Sequence, residues 1–147
     1  MKKILFLFLV VGFIYACNKD KIGTRPILSF KSYSIDSVTP ATNDMVVTMN
    51  VEDGDGDIED TLLIAPLIKS HQGSDTLWVG RKMPNIGGNN GNRIKGEIQI
   101  QLKSIDFRVS SDPTMPKDSI HFVVFIRDNA GHFSDTVSTP KIPYRAQ

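Results

Sequence analysis

The feature of the sequence that most constrains the fold is the alternation of apolar and polar residues in two separate stretches. Residues 45–51 and 94–102 carry Met, Val, Ile or Leu at nearly every second position, with mostly polar residues between them. Neighbouring side chains of a β-strand point to opposite faces of the sheet, whereas the faces of a helix repeat about every 3.6 residues. Both stretches are therefore predicted to be strands with one buried face.

Shorter apolar runs between turn-forming residues predict the remaining strands. These runs lie at residues 27–38, 62–68, 77–79, 120–126 and 133–139. The first is expected to be an edge strand that switches partners, and Pro66 marks an edge or a bulge because proline cannot donate to a sheet ladder. Thirteen of the sixteen acidic residues are Asp, which favours turns over helices. About seven short strands predict an all-β, antiparallel immunoglobulin-like sandwich.

The beginning of the chain has the anatomy of a secretion signal. Two lysines follow Met1, residues 4–14 are almost entirely apolar, and the small Ala16 precedes Cys17. The apolar run is shorter than the ~20 residues that a helix needs to span a bilayer. Cys17 is the only cysteine, so an intramolecular disulfide is impossible. One interpretation is cleavage by the ordinary signal peptidase after Ala16, with Cys17 present by chance, although the bulky Ile14 disfavours it.

Residues 14–17 resemble the lipobox of bacterial lipoproteins, which runs aliphatic, variable, small, cysteine. The resemblance implies that residues 1–16 are removed as a signal peptide and that Cys17 carries covalent lipid. Residues 17–25 would then form a lipidated tether, and residues 26–147 the immunoglobulin-like domain. Two or three acyl chains hold a protein firmly to a membrane, whereas one gives marginal binding.

The residues after the cysteine indicate where such a lipoprotein resides. Asn18, in place of Asp, and the charged residues 19–21 are similar to the sorting signals of outer-membrane and surface lipoproteins of Bacteroidota. The expected location is the outer membrane, on its periplasmic side or at the cell surface. Loss of two lysines with the signal changes the formal net charge from +1 to −1. This balance gives no indication of nucleic-acid binding.

The acidic loop, residues 52–60, is the densest charge cluster and the predicted metal site. Glycines between its aspartates make the backbone pliable enough to turn several carboxylates towards one point. Calcium prefers such oxygen ligands, although Ile58 and Ile64 occupy the glycine and glutamate positions of the EF-hand pattern. The alternative is that the Asp-Gly steps only form tight turns. The predicted ligands within the loop are Asp53, Asp55, Asp57 and Asp60.

A second loop is expected to complete this site. The segment from Asp128 to Ser134 is similar to the Asp-x-Ala-Gly-x-x-Ser turn near the end of many bacterial immunoglobulin-like domains. In a sandwich of this topology, the loop after the second strand and the loop before the last strand lie at the same end. Asp128 is therefore predicted to face the acidic loop and to help hold a calcium ion that braces the loops.

Catalytic patterns are missing from the sequence. The chain has no Gly-x-Ser-x-Gly elbow, and the glycine-rich residues 87–91 lack the lysine of a phosphate-binding loop. His71 and His132, two of the three histidines, are predicted at opposite ends of the sandwich, which prevents a zinc triad with His121. The expectation is a protein that is not an enzyme.

An apolar strip on one outer face is the predicted binding surface. If alternate residues of 120–126 fill the core, Val123 and Phe125 face outward, where Trp78 is expected to join them. The alternative is that the neighbouring loop, residues 84–92, covers this strip. The sequence thus predicts an interaction module whose partner is an envelope protein or a glycan. A purely structural envelope subunit and a glycan-binding accessory remain alternatives.

Overall fold

Two packed β-sheets form the folded part of the chain. The computed structural model describes residues 23–58, 61–68, 78–83, 91–107 and 119–145, so the predicted signal peptide and Cys17 lie outside the described residues. The strands are β1 (Ile27–Tyr33), β2 (Asp44–Asp53), β3 (Thr61–Ile68), β4 (Val79–Lys82), β5 (Ile94–Lys103), β6 (Ser119–Arg127), β7 (Val137–Ser138) and β8 (Ile142–Pro143), and a one-turn helix, α1 (Ser104–Phe107), follows β5.

The strand order is that of an immunoglobulin-like sandwich. One sheet has the order β1-β2-β5, and the other has the order β4-β3-β6-β7, with β8 also paired to β6. Every pair of these strands is antiparallel. The predicted fold class, an all-β antiparallel sandwich, is therefore confirmed. The chain passes from one sheet to the other several times, so that each sheet contains strands that are not consecutive in the sequence.

The core lies between the sheets and is built from the alternating residues. One buried row comes from β2 and β5 and the other from β6, so the period of two in the sequence matches burial on both sides of the sandwich. Each fully buried aliphatic or aromatic side chain contributes about 1.5–3 kcal/mol relative to an exposed one. The central rows consist of Met45, Val47, Met49, Val51, Ile100 and Leu102, facing Ile120, Phe122, Val124 and Ile126.

The expectation that the first strand lies at an edge and changes partners is met. The chain leaves β1 and crosses to the other sheet, where Val38 forms a parallel bridge with Tyr144. The Val38 N–H donates to the carbonyl oxygen of Pro143 at 2.9 Å. Pro66 causes no bulge in its pairing with β6. The register of β3 with β6 continues unbroken through Pro66, whereas pairing with β4 ends at Ile64.

Two predicted strands have different limits. The fourth was expected at residues 77–79 but runs over Val79–Lys82, because its length follows from pairing with Thr61–Ile64 of β3. The last was expected at residues 133–139 but is regular only at Val137–Ser138. The cause is that two side chains replace backbone acceptors. The Ile126 N–H donates to Ser134 Oγ at 3.0 Å, and the Phe122 N–H donates to Thr139 Oγ1 at 2.8 Å.

Helix α1 fixes the end of β5 to β4. The Asp106 carboxylate accepts hydrogen bonds from the Lys103 N–H at 2.8 Å and from Arg81 Nη2 at 2.7 Å. Within the described ranges, no helix has the length and apolar character needed to cross a membrane.

Candidate cation site and aromatic face

The acidic loop begins where β2 ends, and Asp53 organises it. Asp53 is the last residue of β2 and is 0% exposed. Its Oδ2 accepts hydrogen bonds from the N–H groups of Gly56 at 2.7 Å and Asp57 at 3.1 Å. Gly56 has φ +73°, a conformation that glycine adopts without steric cost. The loop therefore folds back over the carboxylate of Asp53.

Three carboxylates converge in this loop. Asp53, Asp55 and Asp57 each offer one oxygen within 4.8 Å of the others. The Oδ1 atom of each is buried and has no hydrogen-bond partner. A tight turn accounts for the glycines but not for these oxygens, because buried polar atoms ordinarily have partners. Oxygen ligands of this kind are those that Ca²⁺ prefers.

The electrostatics of the loop also disfavour bare carboxylates. Burial raises the pKa of the Asp53 carboxyl, and the neighbouring Asp55 raises it further. Burial likewise raises the pKa of Asp57, with added contributions from the negative charges of Asp128 and Asp55. A cation among these groups would reverse the balance, since it stabilises the charged form.

Asp57 joins the acidic loop to the hairpin between β6 and β7, residues 128–134. Its carbonyl oxygen accepts the Asn129 N–H at 2.8 Å, and its Oδ2 accepts the Ala130 N–H at 2.9 Å. The Asp55 carbonyl oxygen accepts the N–H of Gly91, which precedes β5, at 2.6 Å. Three loops therefore meet at one end of the sandwich, as the topology predicts.

Asp128 lies beside the cluster but is committed to its own hairpin. It is 1% exposed, and its Oδ1 accepts the His132 N–H at 2.7 Å. Its Oδ2 lies 3.0 Å from His132 Nδ1. Its charge reaches Asp57, yet it is not among the three carboxylates that converge. The structure thus places Asp128 next to the site as a brace for the hairpin. Asp60, the fifth predicted ligand, lies outside the described residues.

The structure also explains the Asp-x-Ala-Gly-x-x-Ser pattern. Asp128 closes the turn on His132, and Gly131 takes φ +92°. Ser134 is buried, exchanges hydrogen bonds with the main chain of Ile126, and closes the base of the hairpin. The pattern therefore encodes the turn itself.

An aromatic row lies on the outer face of the second sheet. Trp78 is 41% exposed and meets Phe125 edge-on, with ring centroids 4.9 Å apart. Phe125 and Val123 are half-buried on the outer face of β6. Phe133 from the hairpin, 47% exposed, extends the row, because its ring lies 5.9 Å from that of Phe125.

Phe133 was missed by the sequence reasoning, which assigned it to a regular last strand. The signal that could have found it is the hairpin pattern, which sets Phe133 opposite Arg127 at the end of β6. Residues 84–90 of the loop that was considered as a cover for this face lie outside the described residues.

The comparisons with known proteins give neither a family nor a function for this chain. No known protein family matches the chain, and no curated protein is significantly similar to it. Part of a crystal structure of a mutant SrpA adhesin from Streptococcus sanguinis is similar, with a TM-score of 0.43 and 14% identity. The match covers 85% of this chain and 60% of that chain. The present chain thus spans less than two thirds of the adhesin chain, and the identity is too low to transfer a function.

Proposed function

We propose that this chain is a lipid-anchored outer-membrane lipoprotein whose β-sandwich is a non-catalytic interaction module stabilised by calcium. The observation that carries the calcium site is the convergence of three carboxylates, each with a buried oxygen that lacks a partner. The lipobox of residues 14–17 supports the anchor. The exposed aromatic row supports binding, since aromatic side chains are enriched at the centres of protein interfaces.

The ligands of this site suit calcium better than they suit zinc in a four-coordinate structural site. Asp53 is wholly buried, and one of its oxygens already shapes the loop while the other has no partner. Every candidate ligand atom in the converging group is a carboxylate oxygen, whereas structural zinc sites use Cys and His. Extracellular modules typically bind calcium with Kd values of about 10⁻⁴–10⁻³ M. The ion would brace the loops and would take no part in a reaction.

The calcium site is tested by titrating chelated protein while its thermal unfolding is followed. A site with Kd of ~0.1 mM would stabilise the fold by about 2.7 kcal/mol when free calcium is about one hundred times Kd, which is ~10 mM, and this corresponds to roughly 10 °C in Tm. The Asp135→Asn variant controls for the loss of one negative charge away from the site, because Asp135 is exposed and lies outside the acidic loop. The control should show the same shift as the wild type. An unchanged wild-type Tm at millimolar calcium would refute the calcium site.

The binding role is tested by a pull-down from detergent-solubilised outer membrane in the presence of calcium. We expect the wild type to retain a stoichiometric envelope protein and the Trp78→Ala variant to lose it. Ile105→Ala is the control, because Ile105 is an apolar residue that is 82% exposed on α1. Retention on polysaccharide, without a protein partner, would instead support the glycan-binding accessory, for which the exposed indole of Trp78 is a suitable platform.

A further inference from the structure

We propose that calcium in the acidic loop controls the aromatic face through the hairpin that Asp57 holds and that carries Phe133. This inference rests on the proposed calcium site and adds a regulated binding surface to it. In the calcium-bound protein the hairpin is fixed and the aromatic row is assembled. In the calcium-free protein the hairpin is released and Phe133 leaves Phe125.

The first step of the coupling is the double role of Asp57. Its Oδ1 is buried without a partner and belongs to the converging group, whereas its Oδ2 accepts the Ala130 N–H at 2.9 Å. Its carbonyl oxygen accepts the Asn129 N–H at 2.8 Å. One residue therefore both binds the ion and holds two successive N–H groups at the tip of the hairpin. Any displacement of Asp57 moves the hairpin with it.

The second step is the source of that displacement. The carboxylates of Asp53, Asp55 and Asp57 converge within 4.8 Å, and the charge of Asp128 also reaches Asp57. Like charges repel strongly where burial lowers the local dielectric, and a divalent cation converts this repulsion into attraction. Removal of calcium therefore drives Asp57 away from both Asp55 and Asp128. The hydrogen bonds to Asn129 and Ala130 lie across that opening.

The third step is the short path from hairpin to aromatic row. Phe133 follows His132, whose N–H is bound by Asp128, and pairs with Arg127 at the end of β6. Its ring lies 5.9 Å from that of Phe125, which in turn lies 4.9 Å from that of Trp78. A change in the hairpin therefore changes the surroundings of Trp78 across a single intervening ring.

The chain carries its own reporter, because Trp78 is its only tryptophan. The experiment combines calorimetric titration of calcium into the chelated protein with Trp78 emission and acrylamide quenching of the same samples. We expect calcium to shift the emission to shorter wavelength and to reduce quenching, with a midpoint equal to that of calorimetric binding. Asp57→Asn should lose binding and the optical response together.

Phe133→Ala separates the inference from the calcium site itself. Phe133 is half-exposed and supplies none of the candidate ligand oxygens, so this variant should still bind calcium, with an affinity lowered by about tenfold at most through loss of the contact with Phe125, while Trp78 no longer responds. Ile105→Ala should retain both properties. Calorimetric binding without a wild-type Trp78 response would overturn the inference and leave the calcium site standing. A Trp78 response that persists in Phe133→Ala would also overturn it, since the coupling would then bypass the hairpin. If the wild type shows no calorimetric binding, both proposals fail.

Discussion

At the scale of single residues, the two oxygens of Asp53 have separate roles. Oδ2 is satisfied by the backbone of the acidic loop, so it shapes the turn, whereas Oδ1 is buried without a partner. A buried polar atom without a partner lowers stability by about 1–3 kcal/mol, and more when it is charged. A cation bound to Oδ1 would remove this loss of stability.

Substitution of Asp53 by Asn tests this division. An amide retains an oxygen for the N–H groups of Gly56 and Asp57, removes one negative charge, and offers its NH₂ group to Asp55. In chelator we expect Asp53→Asn to be more stable than the wild type by about 1 kcal/mol, and insensitive to calcium. The measurement is Tm with and without calcium. A full calcium shift in this variant would exclude Asp53 as a ligand.

The pH dependence of the calcium-free protein follows from the raised pKa values of Asp53 and Asp57. A carboxyl whose pKa is higher in the folded state binds more protons there than in the unfolded state, so its ionisation lowers stability. The free energy of unfolding should therefore fall as pH rises from the ordinary Asp value of about 3.9 through the raised values, and then level off. Urea denaturation at a series of pH values in chelator measures this slope.

Glu52 affects the pH dependence of stability in the opposite direction, so its contribution has to be separated from that of Asp53 and Asp57. Hydrogen bonds from Lys95 and Arg93 lower the pKa of Glu52, so its contribution is present above the ordinary Glu value and is lost as pH falls below it. The difference between the wild type and Asp53→Asn cancels Glu52, which both proteins share. If this difference is independent of pH, the raised pKa of Asp53 is contradicted.

The residue types of the site were predictable from the sequence. Which carboxylate oxygens have hydrogen-bond partners was not. Alternating Asp and Gly in the acidic loop predicted convergent carboxylates, because glycine frees the backbone to turn. The commitment of Asp128 to His132 depends on the conformation of the hairpin, which the spacing of residues does not specify. The same holds for the role of Asp57 as an anchor for Ala130.

At the scale of elements, the hairpin of residues 128–134 depends on one backbone conformation. Gly131 has φ +92°, and a Cβ added there would meet no atom within 4 Å. The effect of Gly131→Ala is therefore conformational strain, of about 1–2 kcal/mol, rather than a clash. Thermal unfolding with calcium present should show this loss. Gly80→Ala on β4 is the control, because its Cβ also meets nothing within 4 Å and its φ is not positive, so its stability should not fall.

Thr139 ties the two sheets together near the other end of β6. Its Oγ1 accepts the Phe122 N–H at 2.8 Å, donates to the Phe122 carbonyl oxygen at 3.1 Å, and lies 2.5 Å from the Tyr33 hydroxyl oxygen of β1. Thr139→Val keeps the shape but leaves the buried Phe122 N–H without its acceptor. We expect a loss of about 1–3 kcal/mol in the free energy of unfolding, measured by urea denaturation. Thr139→Ser keeps the hydroxyl, so an equal loss in Ser and Val would contradict this explanation.

The limits of a strand were predictable where burial of one face determines them. They were not predictable where side-chain hydroxyls take the place of backbone carbonyls as hydrogen-bond acceptors. The predicted bounds of β5 and the buried row of β6 agree with the structure because one face of each strand lies on the core. The last strand was predicted too long because Ser134 and Thr139 are compatible with a strand in sequence. In the structure, both hydroxyls accept N–H groups of β6 and interrupt regular pairing.

At the scale of the whole molecule, we expect the sandwich to fold without the predicted leader. Pro26 is buried and β1 begins at Ile27. Arg25, at the end of the predicted tether, donates hydrogen bonds to the Phe133 carbonyl oxygen and the Asp135 carboxylate. The acidic loop and the hairpin meet at one end of the sandwich. A lipid at Cys17 would add location to a domain that is already folded, and its loss should leave the fold unchanged.

Cys17→Ser separates location from fold. Serine cannot form the thioether through which a lipoprotein cysteine carries lipid, so cells grown with radiolabelled palmitate should label the wild type and leave Cys17→Ser unlabelled. The variant should also leave the outer-membrane fraction, because the acyl chains supply the membrane affinity. Asn18→Ala is the neighbouring control and should stay labelled. An unlabelled wild type, or a Cys17→Ser protein that still fractionates with the outer membrane, would rule out the anchor. The calcium response of the sandwich should be the same in both proteins, because the converging aspartates lie in the folded domain and not in the tether.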